Sequence, residues 1–156
     1  MGASLVYRGG IHDLEGLLPL VREFCAADRH EFDADRVTRA LRPLLASDEH
    51  GQVWLLGSGE GAAPGGYAVL TWGWSLESGG REALLDEIYV RERGGGHGAA
   101  LLGRVLEAAA AAGAAAMFLE TEAHNERVRG FYARHGFAAE ASIWMSRPLG
   151  GDRTAG

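Results

Sequence analysis

The segment Arg93-Gly94-Gly95-Gly96-His97-Gly98 has the residue types and spacing to hold an anion. Successive glycines let backbone N–H groups converge on one point without interference from side chains. The alanine- and leucine-rich pattern after it, 99–112, predicts a helix whose N-terminal dipole end adds positive potential at the same place. Together they suit a phosphate or pyrophosphate. A Walker A loop would end in Gly-Lys-Ser/Thr, and this chain has no lysine. The dinucleotide fingerprint G-x-G-x-x-G does not fit the spacing of Gly94, Gly95, Gly96 and Gly98. Arg-x-x-Gly-x-Gly does fit, from Arg93 to Gly98, and Arg91 to Gly96 satisfies it as well. A plain glycine-rich linker stays open as the alternative in a chain with 24 glycines.

The elements around this loop follow from hydrophobic periodicity. Residues 4–8 read as a short strand. Leu14, Leu17, Leu18, Val21, Phe24 and Cys25 repeat at helical spacing and predict a first helix from Asp13 to near Asp28. Val37, Leu41, Leu44 and Leu45 predict a second helix, kinked or shortened by Pro43. The period then changes. Strands are expected at 52–56, 67–74 and 83–90, with turns at 57–66 and 77–80. After the glycine loop and its helix come a buried strand at 115–121 and a helix from Asn125 to the His135-Gly136 stop signal. Two short strands are expected near Phe137 and at 143–146. Hairpins followed by a β-α-β crossover imply a mixed sheet with helices on both faces.

The chain has 156 residues, consistent with one domain, expected over 1–148 with a disordered tail at 149–156. The net charge of −6 argues against a nucleic-acid partner. The single cysteine, Cys25, excludes an intrachain disulfide. No apolar run approaches the ~20 residues that cross a bilayer, so no membrane partner is expected. The N-terminus lacks a secretory pattern, and Val6 stands where myristoylation wants Ser or Thr, so a cytoplasmic location is expected. His97, His124 and His135 are scattered without metal-ligand spacing, so no metal is expected.

With these motifs in place, the sequence resembles the GNAT family of N-acetyltransferases. The resemblance rests on Arg93 to Gly98, on the strand Asp86-Glu87-Ile88-Tyr89-Val90 before it, and on Glu120 to Phe137 with Asn125 and Tyr132. Only two residues, Arg91 and Glu92, separate Val90 from Arg93, a shorter link than the family usually has. The resemblance implies an α/β (α+β) fold with a largely antiparallel central sheet of about six to seven strands. It implies acetyl-CoA as cosubstrate and direct acetyl transfer to a primary amine of a small molecule or peptide. A non-catalytic acyl-CoA-binding sensor is the other reading, and a homodimer is compatible with the family.

By resemblance, the backbone of Ile88, Tyr89 and Val90 would meet the pantetheine arm, and an amide of that strand would polarise the acetyl carbonyl. Arg93, Gly94, Gly95, Gly96, His97, Gly98 and Ala99 would hold the pyrophosphate. Tyr132 would be the general acid for the departing thiolate, or else a packed aromatic beside Phe131. Asn125 would contact the cosubstrate, cap its helix, or do both. Glu87 is preferred over Asp86 as general base, acting directly or through water. Adjacent strand residues face opposite sides, so at most one of the two meets the acceptor unless a bulge intervenes. Glu120 and Glu122 are secondary candidates. The pair Trp72 and Trp74, with Glu77 and the acidic Glu31, Asp33 and Asp35, suggests a cationic acceptor.

Overall fold

The computed structural model describes residues 5–57 and 63–150. Ser4 of the expected first strand, part of the 57–66 loop and most of the expected C-terminal tail lie outside the described residues. The chain divides into two compact units, Met1–Glu120 and Thr121–Gly156.

The first unit is built on one sheet with strands in the order β1-β2-β3-β4-β5. β1 (Leu5–Arg8), β2 (Gly51–Gly57), β3 (Gly66–Ser75) and β4 (Gly80–Val90) form an antiparallel meander. β5 (Met117–Phe118) joins β4 in parallel, after a crossover through α3 (His97–Ala111). That crossover is what a parallel neighbour requires.

Two helices cover one face of the sheet. In α1 (Leu14–Ala27) the apolar stripe buries Leu14, Leu17, Leu20 and Val21. In α2 (Ala34–Ala46) it buries Leu41, Leu44 and Leu45. These side chains form one core with Val53, Leu55, Tyr67 and Val69 of the sheet. Asp33 starts α2 by accepting a 3.1 Å hydrogen bond from the Arg36 amide. Pro43 does not shorten α2, which runs on to Ala46. The opposite face is covered by α3, which buries Leu101, Leu102 and Val105 and lays Arg104 over the Trp54 ring at 4.2 Å. The chain is therefore a mixed α/β fold with helices on both faces of a mostly antiparallel sheet.

Three expectations are corrected. β5 spans two residues rather than 115–121: alanines 114–116 contribute little strand propensity, and pairing with β4 ends at Leu84–Phe118. The strands expected near Phe137 and at 143–146 are not formed, so the described residues hold five strands. Ile143, Trp144 and Met145 have strand-like character but no paired neighbour among the described residues, and a strand exists only by its pairing. In the second unit, α4 (Glu126–Ala133) is the one regular element among the described residues. Among the described residues no helix is long and apolar enough to cross a membrane.

Candidate active site

The glycine loop takes the conformation its composition allows. Gly94, Gly95 and Gly96 adopt φ of 83°, 93° and 75°, a left-handed run that other residues rarely enter. Space is not the reason at Gly94 and Gly96, where a Cβ would meet nothing within 4 Å. The loop delivers the chain into α3 with Gly96 as N-cap. The helix's own hydrogen-bond ladder begins with the Ala100 amide donating to the Gly96 carbonyl at 3.0 Å. The Gly98 and Ala99 amides precede that point and have no acceptor within the helix. No acidic side chain occupies the first turn of α3. The result is an exposed loop at a helix N-terminus, able to receive an anion.

The structure gives different surroundings to the two arginines that fit the motif, of which sequence favours Arg93. Arg91 is committed to the fold: its amide donates to the Gly65 carbonyl at 2.9 Å, and its guanidinium grips Glu23 of α1 at 2.6 and 3.0 Å. Arg93 is exposed, and among the described residues it makes no ion pair.

Among the described residues, the strand before the loop is paired on its second edge only at Ala83 and Leu84, by β5. Tyr89 is the Cα partner of Tyr67, and the Arg91 amide bonds toward β3. By the alternation of an antiparallel ladder, the Tyr89 amide also points to β3, while those of Ile88 and Val90 point to the second edge. Of the three backbone positions singled out in sequence, two present their polar groups there and Tyr89 does not.

A β-bulge sets the direction of the acidic side chains. Val69 pairs with Glu87, but the next residue, Leu70, pairs with Leu85, leaving Asp86 as the extra residue. Glu87 therefore lies on the same face as Tyr67, Val69 and Tyr89, toward α1 and α2. Tyr67 is fully buried, and its hydroxyl donates to Glu87 Oε1 at 2.6 Å. The Tyr67 ring forms an aromatic cluster with Phe24 and Tyr89, with ring centroids 6.2–6.4 Å apart. Burial lifts the Glu87 carboxyl above the usual carboxylate range; Asp86 and Asp28 add to the rise, while the Tyr67 hydrogen bond and His30 oppose it. Asp86 is exposed as a residue, yet the protein around its carboxyl removes enough water to raise its pKa too. Burial, followed by Glu87, pushes the Tyr67 phenol and the Cys25 thiol up. Sequence reasoning missed Tyr67 and Phe24, because only the strand register brings Tyr67 to Glu87 and only the packing of α1 brings Phe24 to Tyr67.

In the second unit, Asn125 Oδ1 accepts from the Val128 amide at 3.2 Å and so caps α4. Tyr132 packs its ring against Phe131 at 5.3 Å and Phe137 at 5.6 Å. Burial raises its pKa, so its phenol holds its proton firmly at neutral pH. The backbone carbonyls of Glu122 and Ala123 accept from Arg129, which ties the approach to α4. Just past α4, His135 Nδ1 donates to the Phe131 carbonyl at 2.8 Å, in the tautomer that carries the proton there.

Trp72 and Trp74 stand two apart in the regular part of β3, as expected, and so share one face. The Trp72 ring is covered by Arg81 at 5.2 Å, and its indole N–H donates to the Asp48 carbonyl at 2.8 Å. Trp74 is 77% exposed at the far end of the β3–β4 hairpin. Asp28 and His30, by contrast, lie close enough to Glu87 to move its titration. Asp33 serves as the α2 cap. Among the described residues no group of His, Cys, Asp and Glu is arranged to hold a metal.

Comparison with known proteins agrees with this geometry. The sequence profile described as the Acetyltransferase (GNAT) family matches residues 17–137. An integron cassette protein from the mobile metagenome of Cole Harbour Salt Marsh is 32% identical, covers 94% of this chain and 91% of its own, and superposes with a TM-score of 0.80. A putative acetyltransferase from Arthrobacter sp. FB24 is 26% identical, with 96% and 98% covered and a TM-score of 0.80. An aminoglycoside acetyltransferase from an uncultured soil metagenomic sample, in complex with sisomicin, shares the fold at 16% identity, 94% and 97% coverage and a TM-score of 0.74. No curated protein matches the sequence. The match over 17–137 shows that the chain belongs to the GNAT family of acetyltransferases.

Proposed function

We propose that the chain transfers acetyl from acetyl-CoA directly to a primary amine of a small molecule, polyamine-like, aminoglycoside-like or amino-acid-like, or of a peptide. The observation that carries this reading is the left-handed Gly94–Gly96 run entering α3, after a β4 segment that has no strand partner on its second edge beyond Leu84 among the described residues. Arg93 and the backbone from Gly94 to Ala99, His97 and Gly98 included, supply the charge and amides a pyrophosphate needs. The second-edge groups of Ile88 and Val90 supply strand-like pairing for an amide-containing arm, and Tyr89 adds its ring rather than its backbone.

In this reaction the amine nitrogen attacks the thioester carbon and the carbon–sulfur bond breaks. Glu87, directly or through water, takes the proton that the amine must lose. Its raised pKa brings it closer to neutrality, where a base is most effective. Tyr132 gives a proton to the leaving thiolate, and Asn125 contacts the cosubstrate while capping α4. The neighbour solved with sisomicin supports an amine acceptor without selecting which amine. The test is to mix the protein with acetyl-CoA and an amine panel and follow free thiol. Amine-dependent thiol release is expected. Acetyl-CoA binding with no release across the panel would overturn transfer in favour of an acyl-CoA sensor.

A further inference from the structure

We propose that Tyr67 is a positioning residue for Glu87, fixing which carboxylate oxygen faces the acceptor amine. This rests on the assignment of Glu87 as the general base. Tyr67 sits on β3 opposite Tyr89, fully buried, with its ring held by Phe24 and Tyr89. Its hydroxyl can therefore point in few directions, and it donates to Glu87 Oε1 at 2.6 Å. Among the described residues Oε2 takes no hydrogen bond, so it is the oxygen left for a proton. The bulge at Asp86 is what makes the contact: without it Glu87 would share the face of Leu85 and α3 and could not reach Tyr67. A buried tyrosine hydroxyl needs a partner, and a carboxylate that must stay ionised while half-buried needs a donor. One hydrogen bond meets both needs.

The groups facing Glu87 come from several elements. Tyr67 lies on β3 and Asp86 on β4; Cys25 of α1 and Asp28 and His30 just beyond it complete the surroundings. Of these, Tyr67 alone hydrogen-bonds the carboxylate among the described residues. The bond favours the ionised form, so removing it must move the titration of Glu87 upward.

The experiment compares pH profiles of kcat/KM for the wild type, Tyr67→Phe and Glu87→Gln. Tyr67→Phe keeps the ring and should move the acid limb to higher pH by about one unit, a roughly tenfold loss on the acid side that narrows at high pH. A 13C-carboxyl NMR titration of Glu87 should move by the same amount, which a merely structural role would not produce. If Tyr67→Phe does not fold, 3-fluorotyrosine placed at 67 is a stronger donor and should move the limb to lower pH. An unmoved limb and an unmoved carboxyl titration, with Glu87→Gln inactive, would overturn the role of Tyr67 alone. A fully active Glu87→Gln would overturn the base assignment and this proposal with it. A wild type that releases no thiol with any amine would overturn the proposed reaction itself.

Discussion

Leu85 and Glu87 stand two residues apart on β4 yet face opposite sides of the sheet, because the bulge at Asp86 resets the alternation. Leu85 goes to the α3 side and Glu87 to the side of α1 and α2. A carboxylate is thereby brought to the Tyr67 hydroxyl, and its burial has measurable consequences.

Glu87→Gln is expected to lower kcat by about 10²–10⁴-fold, the usual weight of a general base. It should also raise thermal stability at neutral pH. The folded-state pKa of Glu87 lies above its unfolded value, so folding favours the protonated form. Stability from this group is fully present below the unfolded pKa of about 4.3 and is lost as pH rises through the folded pKa. Gln mimics the protonated carboxyl and still accepts from Tyr67. Melting curves should show the variant above the wild type at pH 7 and level with it at pH 4; a variant that melts lower at pH 7 contradicts the sign.

Gly98→Glu should weaken coenzyme A binding by at least tenfold, or about 1.4 kcal/mol, in a protein of unchanged fold. The carboxylate enters the first turn of α3, where the anion is expected. Gly96→Glu should do the same and also cost about 1–2 kcal/mol of stability, because φ is 75° there. Calorimetric titration with coenzyme A checks both, and unchanged affinity in folded Gly98→Glu would remove the anion site from this loop.

The two loop arginines should behave differently. Arg93→Ala is expected to weaken coenzyme A affinity about tenfold, as loss of a charge-assisted contact does. Arg91→Ala should leave affinity within about threefold, since Arg91 is committed to Glu23 and Gly65. The reverse order would reassign the motif to Arg91.

Tyr132→Phe should reduce turnover by about 10²–10⁴-fold with little change in coenzyme A affinity. The ring keeps its contacts with Phe131 and Phe137, so folding is preserved. Single-turnover kinetics read this out; a loss below about threefold would place the proton elsewhere.

Asn125→Ala should destabilise the protein by about 1 kcal/mol through loss of the α4 cap, and Asn125→Ser should restore most of it. Chemical denaturation measures this. A coenzyme A affinity defect in the Ser variant would separate a cosubstrate contact from the cap.

Local signals sufficed for much of this protein. The stripes from Leu14 to Cys25 and Val37 to Leu45 placed α1 and α2, since an amphipathic helix writes its period into a dozen residues. The glycines of 94–96 announced their loop because only glycine enters three left-handed conformations in a row without strain. Asn125 was legible as a cap for the same local reason. What depends on pairing was not legible. Ile143 to Met145 has the composition of a strand, but no ladder forms there, and β5 shrank to Met117–Phe118. Arg91 and Arg93 both fit the motif, and the start of the following helix favours Arg93 in sequence; that Arg91 is held by Glu23, remote in sequence, is visible only in the fold. The side of the sheet that Glu87 faces turns on one unpaired residue, Asp86, and a bulge is a property of two strands in register rather than of either sequence. The contact between Tyr67 and Glu87 was therefore decided by tertiary structure alone, because it exists only once that register is set.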